Sequence, residues 1–205
     1  MSPQARGPRR VGMFGGAFDP PHAAHRALVE AAVRQLQLDR LYVFPTGHAW
    51  HKSRVLSPAI HRVAMAQLAF ADLPEVVVDG RETLRSGPSY SVDTLRELHA
   101  QHPGAELFLV LGQDQAEALH SWHEPDVLVQ LATICVAARA GITGIAPAFV
   151  APAGLEPRFR QLRFPVLPVS ATHIRSLAAA GLALAPLVCD DVARYIVDHH
   201  LYQSA

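Results

Sequence analysis

Short apolar runs alternate with stretches of helical period along almost the whole chain, and that alternation restricts the fold more than any other feature. Residues 11–14, 41–44, 76–78, 106–111 and 131–138 read as strands. Between them lie helical patterns. Residues 23–37 place Ala24, Leu28, Ala31, Ala32 and Leu36 on one face. Ser57-Pro58 opens a second helix, serine as N-cap and proline at the first position, carrying Ile60, Val63, Ala64, Leu68 and Ala69. Ser91 is expected to cap a third helix running to about His102, and residues 124–130 form another. The alternation predicts an α/β fold, a Rossmann-like parallel sheet with helices on both faces. A loop is expected over 80–88 and a long irregular one over 139–163. A sixth strand, interrupted by proline and therefore at a sheet edge, is expected at 164–169, and closing helices at 172–180 and 191–201. A length of 205 residues suits one sizeable domain. Residues 1–205 are therefore expected to form a single unit, with 1–8 as a flexible tail.

Composition removes several classes of function. Lys+Arg and Asp+Glu both number 18, so no bulk charge draws the chain to nucleic acid or to a membrane surface. Any phosphate binding must come from locally placed donors. No apolar run approaches the ~18 residues of a membrane span. The basic N-terminus is not followed by the apolar stretch of a signal peptide, which makes the cytoplasm the expected compartment. Cys135 and Cys189 lie far apart in apolar surroundings and read as reduced thiols. The chain has a single lysine, Lys52, and such a residue can mark a place that wants a compact point charge.

In open α/β sheets the ligand lies outside the carboxyl ends of the strands. Gly15-Gly16, the His51-Lys52 loop, Gly112-Gln113-Asp114 and Ser170-Ala171-Thr172 all follow predicted strands, so they are expected to meet at one edge of the sheet. The first of these is the most informative. A strand runs into two glycines, then a turn around Asp19-Pro20-Pro21, then His22 and His25 where a helix begins. Small residues let a phosphate approach the backbone, and the first-turn N–H groups point at it. A zinc site built on the two histidines with Asp19 or His51 is the rival reading, although no HExxH or Cys/His spacing accompanies it.

The stretch from Gly15 to His25 resembles the GGTFDPxHxGH signature of the nucleotidylyltransferase superfamily. Further pieces resemble one family within it, the bacterial nicotinate-nucleotide adenylyltransferases. His51-Lys52 is similar to that family's PHK loop, and Arg62 to Met65 to its RxxM helix. Ser89 to Leu95 is similar to SYTxDTL, and Gly112-Gln113-Asp114 with Trp122 to GxD…W. Ser170 to Arg175 is similar to SSTxIR, and Val192 to Tyr202 to a VxxYIxxxxLY ending. Three departures stand out: Ala17 for Thr or Ser, Ala24 for Gly, and Ala171 for Ser. None removes a charged group.

The resemblance implies transfer of the adenylyl group of ATP to nicotinate mononucleotide, with release of pyrophosphate. By that resemblance His22, His25, Lys52 and Arg175 act on the phosphates. Gly15, Gly16, Phe18, Gly112, Asp114, Ser170, Thr172 and Ile174 would bind ATP. Tyr90, Thr94, Trp122, His123 and Arg139 would bind the nicotinate nucleotide, with Trp122 stacked on the pyridine ring and backbone N–H groups near Ser91-Val92 and His123 taking its carboxylate. Mg²⁺ would travel with ATP rather than in a protein cage. The acceptor is a phosphate already ionised at neutral pH, so no general base is required. Neither nucleic acid nor membrane is expected as a partner, and a homo-oligomer is compatible with the sequence. Other readings of single residues stay open: Asp114 as a helix cap, Trp122 as core, Arg139 as a solvated strand-end residue. So do a phosphopantetheine adenylyltransferase and a nucleotide-binding regulator without turnover.

Overall fold

A computed structural model describes residues 7–47, 55–137, 149–163, 165 and 167–203. The elements in chain order are β1 (Arg10–Gly16), α1 (Ala23–Leu36), β2 (Arg40–Pro45), α2 (Ala59–Phe70), β3 (Val76–Val78) and α3 (Arg81–Leu84). There follow α4 (Ser91–Gln101), β4 (Glu106–Gly112), α5 (Gln113–Glu117), α6 (Pro125–Leu131), β5 (Thr133–Ala137), β6 (Phe159–Leu162), α7 (Ala171–Ala179) and α8 (Asp190–Asp198). All six strands join one sheet in the order β3-β2-β1-β4-β5-β6, and every pairing is parallel.

Period-2 alternation feeds two cores from the same strands. Val11 and Met13 of β1, Leu107, Leu109 and Leu111 of β4, and Ile134 and Val136 of β5 point to one face, against α4, α5 and α6. Phe14, Phe108, Val110 and Cys135 point to the other, against α1, α2, α7 and α8. Burial on both faces is why the central strands read as continuous apolar runs. Gly12 of β1 lets α1's trailing residue Leu38 and strand residue Leu41 close in, since a Cβ there would lie 2.4 Å from Leu41 Cδ1.

The chain moves outward from β1 to β2 and β3, then returns across the sheet to β4 and continues to β5 and β6. The β1/β4 pair is therefore the point where strand order reverses, and their carboxyl ends flank a crevice.

Most expected elements are present with ends shifted by a residue or two. Tyr90, not Ser91, is the N-cap of α4, and Pro58, not Ser57, precedes α2. Two expectations are corrected. The sixth strand is Phe159–Leu162, inside the segment expected to be irregular, while residues 163, 165 and 167–170 carry no strand. Pro165 and Pro168 supply no N–H for a ladder, whereas Phe159–Leu162 pairs with β5 from the sheet edge, with Arg160 and Gln161 exposed. The expected loop over 80–88 contains the single turn of α3. Residues 1–6 of the expected tail lie outside the described residues, as do 138 of the expected fifth strand and 139–148 of the expected long loop.

Candidate active site

A cleft of about 860 Å³ opens over the carboxyl ends of β1 and β4. Gly15, Gly16 and Asp19 line one part of it with His22, His25, Thr172 and Arg175. Glu82, Ser89, Tyr90, Trp122 and His123 line another, and Gly112 belongs to the same wall. Three of the four expected strand-end segments therefore meet at one place. Lys52, His51 and Arg139 lie outside the described residues.

A Cβ on Gly15 or on Gly112 would meet no protein atom within 4 Å. Packing does not require glycine at either position, and both border the cleft. Gly16 differs, because a Cβ there would sit 3.0 Å from the ring of Phe18. Phe18 takes a left-handed backbone (φ 48°), is 1% exposed, and stands edge-on to Phe14 and to the His25 ring. Its ring packs against the turn and against His25.

His22 is the N-cap residue of α1. Its N–H donates to His25 Nδ1 at 3.2 Å, and the two rings stack with centroids 3.7 Å apart. A neutral ring that accepts at Nδ1 carries its proton on Nε2. The α1 N-terminus adds the partial positive charge of aligned peptide dipoles.

Across the cleft, Ser170 caps α7 by accepting the His173 N–H at 3.2 Å. Arg175, one turn further on, donates from Nη1 to the Asp19 carbonyl at 2.9 Å and from Nη2 to Thr172 Oγ1 at 3.1 Å. The guanidinium is thereby aimed from both strand-end turns. Ile174 does not line the cleft: it is fully buried in the core and its N–H donates to the Ser170 carbonyl. Its part is to anchor α7.

At the other end, Tyr90 and His123 stack with centroids 4.2 Å apart, and Trp122 lines the cleft beside them. Trp122 also packs against the α4–α6 core, so one side chain both lines the cleft and belongs to the core. Thr94 is fully buried and does not line the cleft; its hydroxyl donates to Glu82 Oε1 at 2.8 Å and accepts from Arg85 at 2.8 Å. Asp114 is exposed in the first turn of α5, next to cleft residue Gln115, and Gly112 rather than Asp114 is the N-cap.

Four residues outside the nucleotide-site assignments shape this cleft. Asp19, 2% exposed, accepts the Tyr202 hydroxyl at Oδ1 (2.7 Å) and the Ser57 N–H at Oδ2 (3.1 Å). Arg62, 3% exposed, donates to the carbonyls of Ala17 (3.0 Å) and Ser57 (2.9 Å). An arginine among the apolar residues of α2 is a sequence signal for such a role. Glu82 carries none: burial pushes its carboxyl up to about 7, against the pull of Thr94 and Arg85. Tyr202 is likewise raised by burial and by the Asp19 carboxylate, so it remains a neutral donor.

The described residues contain no group of three or more His, Cys, Asp or Glu side chains able to hold a metal ion. The zinc reading of His22 and His25 thus finds no third ligand among them. Burial pushes the Cys135 thiol up to about 12, in keeping with an inert packed thiol, and Cys189 is also free. Among the described residues no helix is long and apolar enough to cross a membrane.

Such a cleft, at the switch point of a parallel sheet with two helix N-termini and paired histidines, defines a nucleotide-binding α/β protein. The model of the cytidylyltransferase-like family matches residues 13–177. A probable nicotinate-nucleotide adenylyltransferase of Albidiferax ferrireducens is 61% identical over 197 residues, covering 96% of this chain and all of its own. One of Methylibium petroleiphilum is 43% identical over 95% of this chain and 92% of its own. The chain belongs to the cytidylyltransferase-like nucleotidyltransferases and, within them, to the nicotinate-nucleotide adenylyltransferase family. The fold is also that of the Plasmodium falciparum nicotinic acid mononucleotide adenylyltransferase complexed with NaAD, at a TM-score of 0.74 and 17% identity, over 95% of this chain and 97% of that one.

Proposed function

We propose that this protein transfers the adenylyl group of ATP to the phosphate of nicotinate mononucleotide, giving deamido-NAD and pyrophosphate. The observation that carries the reading is a single cleft with a cationic, helix-capped end at His22, His25 and Arg175 and an aromatic end at Tyr90, Trp122 and His123. A triphosphate suits the first and a pyridine ring the second.

An oxygen of the acceptor phosphate attacks the α-phosphorus, a new P–O bond forms, and the bond to the bridging oxygen of pyrophosphate breaks. Positioning and charge neutralisation carry most of the barrier reduction in such transfers. His22 and His25 stabilise charge on the α-phosphate and bridging oxygen, and Arg175 with the α7 N-terminus holds the outer phosphates. Lys52 adds its positive charge at the phosphates. Gly15 and Gly112 admit the nucleotide against the backbone. Asp114 takes ribose hydroxyls, and Arg139 meets the acceptor nucleotide. The N–H groups of Ser91 and Val92, in the first turn of α4, receive the nicotinate carboxylate. An amide there would set NH₂ against N–H donors, a mismatch of about 1–3 kcal/mol.

ATP enters as its Mg²⁺ complex, since the described residues offer no carboxylate cage and Mg²⁺ sits readily on phosphate oxygens and water. We further propose that the chain acts as one domain in the cytoplasm, where ATP is supplied, as a monomer or a homo-oligomer. Pyrophosphate release with ATP, Mg²⁺ and, separately, nicotinate mononucleotide, its amide analogue and phosphopantetheine tests the reading. Turnover is expected with the acid. Its absence there would refute the proposal, and equal rates for acid and amide would refute the selectivity. His22→Ala should lower kcat by about 10²–10³ with the fold intact, the usual loss for one charge-stabilising donor.

A further inference from the structure

Glu82 borders the aromatic end of the cleft, and two of its oxygens hold the opposite ends of one short segment. Its main-chain carbonyl accepts the Ser89 hydroxyl at 3.1 Å, and its side-chain Oε1 accepts the Thr94 hydroxyl at 2.8 Å. Between Ser89 and Thr94 lie Tyr90, the N-cap of α4, and the first-turn residues Ser91 and Val92. The Tyr90 carbonyl receives the Asp93 and Thr94 N–H groups at 3.2 and 3.4 Å, so the turn closes on itself between the two points that Glu82 holds. Gly47, two residues beyond β2, presses on the first of them. A Cβ there would lie 2.1 Å from the Glu82 carbonyl oxygen and 2.9 Å from Ser89 Oγ.

The partners of Thr94 call for an acceptor at position 82. Arg85 Nη1 donates to Thr94 Oγ1 at 2.8 Å, while its Nη2 donates to Glu97 Oε1 at 2.7 Å, one turn further along α4. A hydroxyl that accepts from a guanidinium still has its own proton to place, and Glu82 Oε1 takes it. Packing alone does not call for a carboxyl here. Burial pushes it up to about 7, and an apolar side chain of similar size would fill the space without that penalty. No step of the transfer uses the group.

We propose that Glu82 is a positioning residue for the acceptor nucleotide: through Ser89 and Thr94 it fixes the Tyr90 ring and the first-turn N–H groups of α4 beside Trp122 and His123. The inference rests on the adenylyl-transfer reading for the identity of the ligand, but the hold on residues 89–94 is independent of it. The phosphate end of the cleft is built on α1 and α7, so MgATP binding should not register the loss of Glu82.

The test compares Glu82→Leu, which keeps the bulk and removes the acceptor, with Glu82→Gln, which keeps an acceptor oxygen. Both full-length proteins are titrated calorimetrically with nicotinate mononucleotide and with MgATP, and backbone hydrogen exchange is followed over residues 89–94. Glu82→Leu should weaken nicotinate mononucleotide binding about tenfold, the scale of one buried hydrogen bond. MgATP affinity should stay within about twofold, and exchange should quicken over 89–94 but not in α1 or α7. Glu82→Gln should bind the acceptor within about threefold of wild type. Wild-type acceptor affinity or unchanged exchange in Glu82→Leu overturns the proposal, as does an equal loss for both ligands or a Glu82→Gln protein as weak as Glu82→Leu. Thr94→Val breaks the same link from its other end and serves if Glu82→Leu does not fold. It should show the same acceptor-only loss, and a folded Thr94→Val protein with wild-type acceptor affinity overturns the proposal. Quickened exchange in Glu82→Leu, alongside a wild type that binds MgATP but not nicotinate mononucleotide, would sink the adenylyl-transfer reading and leave the hold of Glu82 standing.

Discussion

Glu82→Gln should make the protein relatively more stable as pH rises, and the size of the effect follows from the site. The Glu82 carboxyl is 4% exposed and burial raises it from 4.5 to about 7. The charges facing it are Arg85, which favours ionisation, and Glu97 and Asp79, which oppose it; Thr94 donates to Oε1. The unfolded chain releases this proton near 4.5, the folded chain only near 7. Below 4.5 both states hold the proton and Glu82 imposes no penalty. Between the two values the unfolded state binds fewer protons, so stability falls with rising pH and levels off above 7. Moving this carboxyl from 4.5 to about 7 amounts to about 3 kcal/mol. The substituted amide is neutral throughout and can still accept from Thr94, so the variant escapes the loss. Urea unfolding of both proteins at intervals from pH 4.5 to 8 measures it. Their stability difference should grow by about 3 kcal/mol in favour of Glu82→Gln, while every other titrating group cancels. A difference that stays flat across this range would refute the buried, protonated carboxyl.

Gly15→Ala meets no protein atom, so its melting temperature should match wild type or rise slightly, while MgATP affinity falls at least tenfold; unchanged affinity would remove Gly15 from the nucleotide path. At Gly47 a Cβ would lie 2.1 Å from the Glu82 carbonyl oxygen, and Gly47→Ala should lose about 1–3 kcal/mol in urea unfolding, with raised KM for the acceptor nucleotide. Arg62→Met leaves the carbonyls of Ala17, in the glycine turn, and of Ser57, ahead of α2, without their buried donor and should lose about 2–5 kcal/mol of stability, whereas Arg62→Lys should recover only part, since one ammonium cannot reproduce the forked geometry. Chemical denaturation of the two variants side by side checks the order.

Local features of the chain were legible without a structure. The period of the apolar residues marked five of the six strands and the principal helices. The glycine turn before His22 marked a candidate anion site, because the strand, the turn and the helix N-terminus that make it are consecutive in sequence. Motif resemblance extended that site to Arg175 and Trp122. The sixth strand lies upstream of its expected place at 164–169 because an edge strand pairs through its backbone, and Phe159–Leu162 has two exposed polar residues at its centre. Glu82 escaped notice because an acid between Arg81 and Thr83 looks like any solvated loop residue; only the packing of α4 and Gly47 around it makes it buried.

The class of fold, the family and the strand-end position of the segments proposed to bind phosphate follow from the chain alone, since each depends on residues close together or on a pattern repeated along it. Tertiary structure decided which strand ends meet, by placing β4 beside β1 rather than beside β3. It also moved Thr94 and Ile174 from the cleft wall to the layer behind it, and joined Tyr202 to Asp19 and Asp19 to Arg175. The energy of those contacts comes from burial and from donors brought in across more than 150 residues of chain. No local pattern encodes a hydrogen bond whose two ends meet only after the sheet has formed.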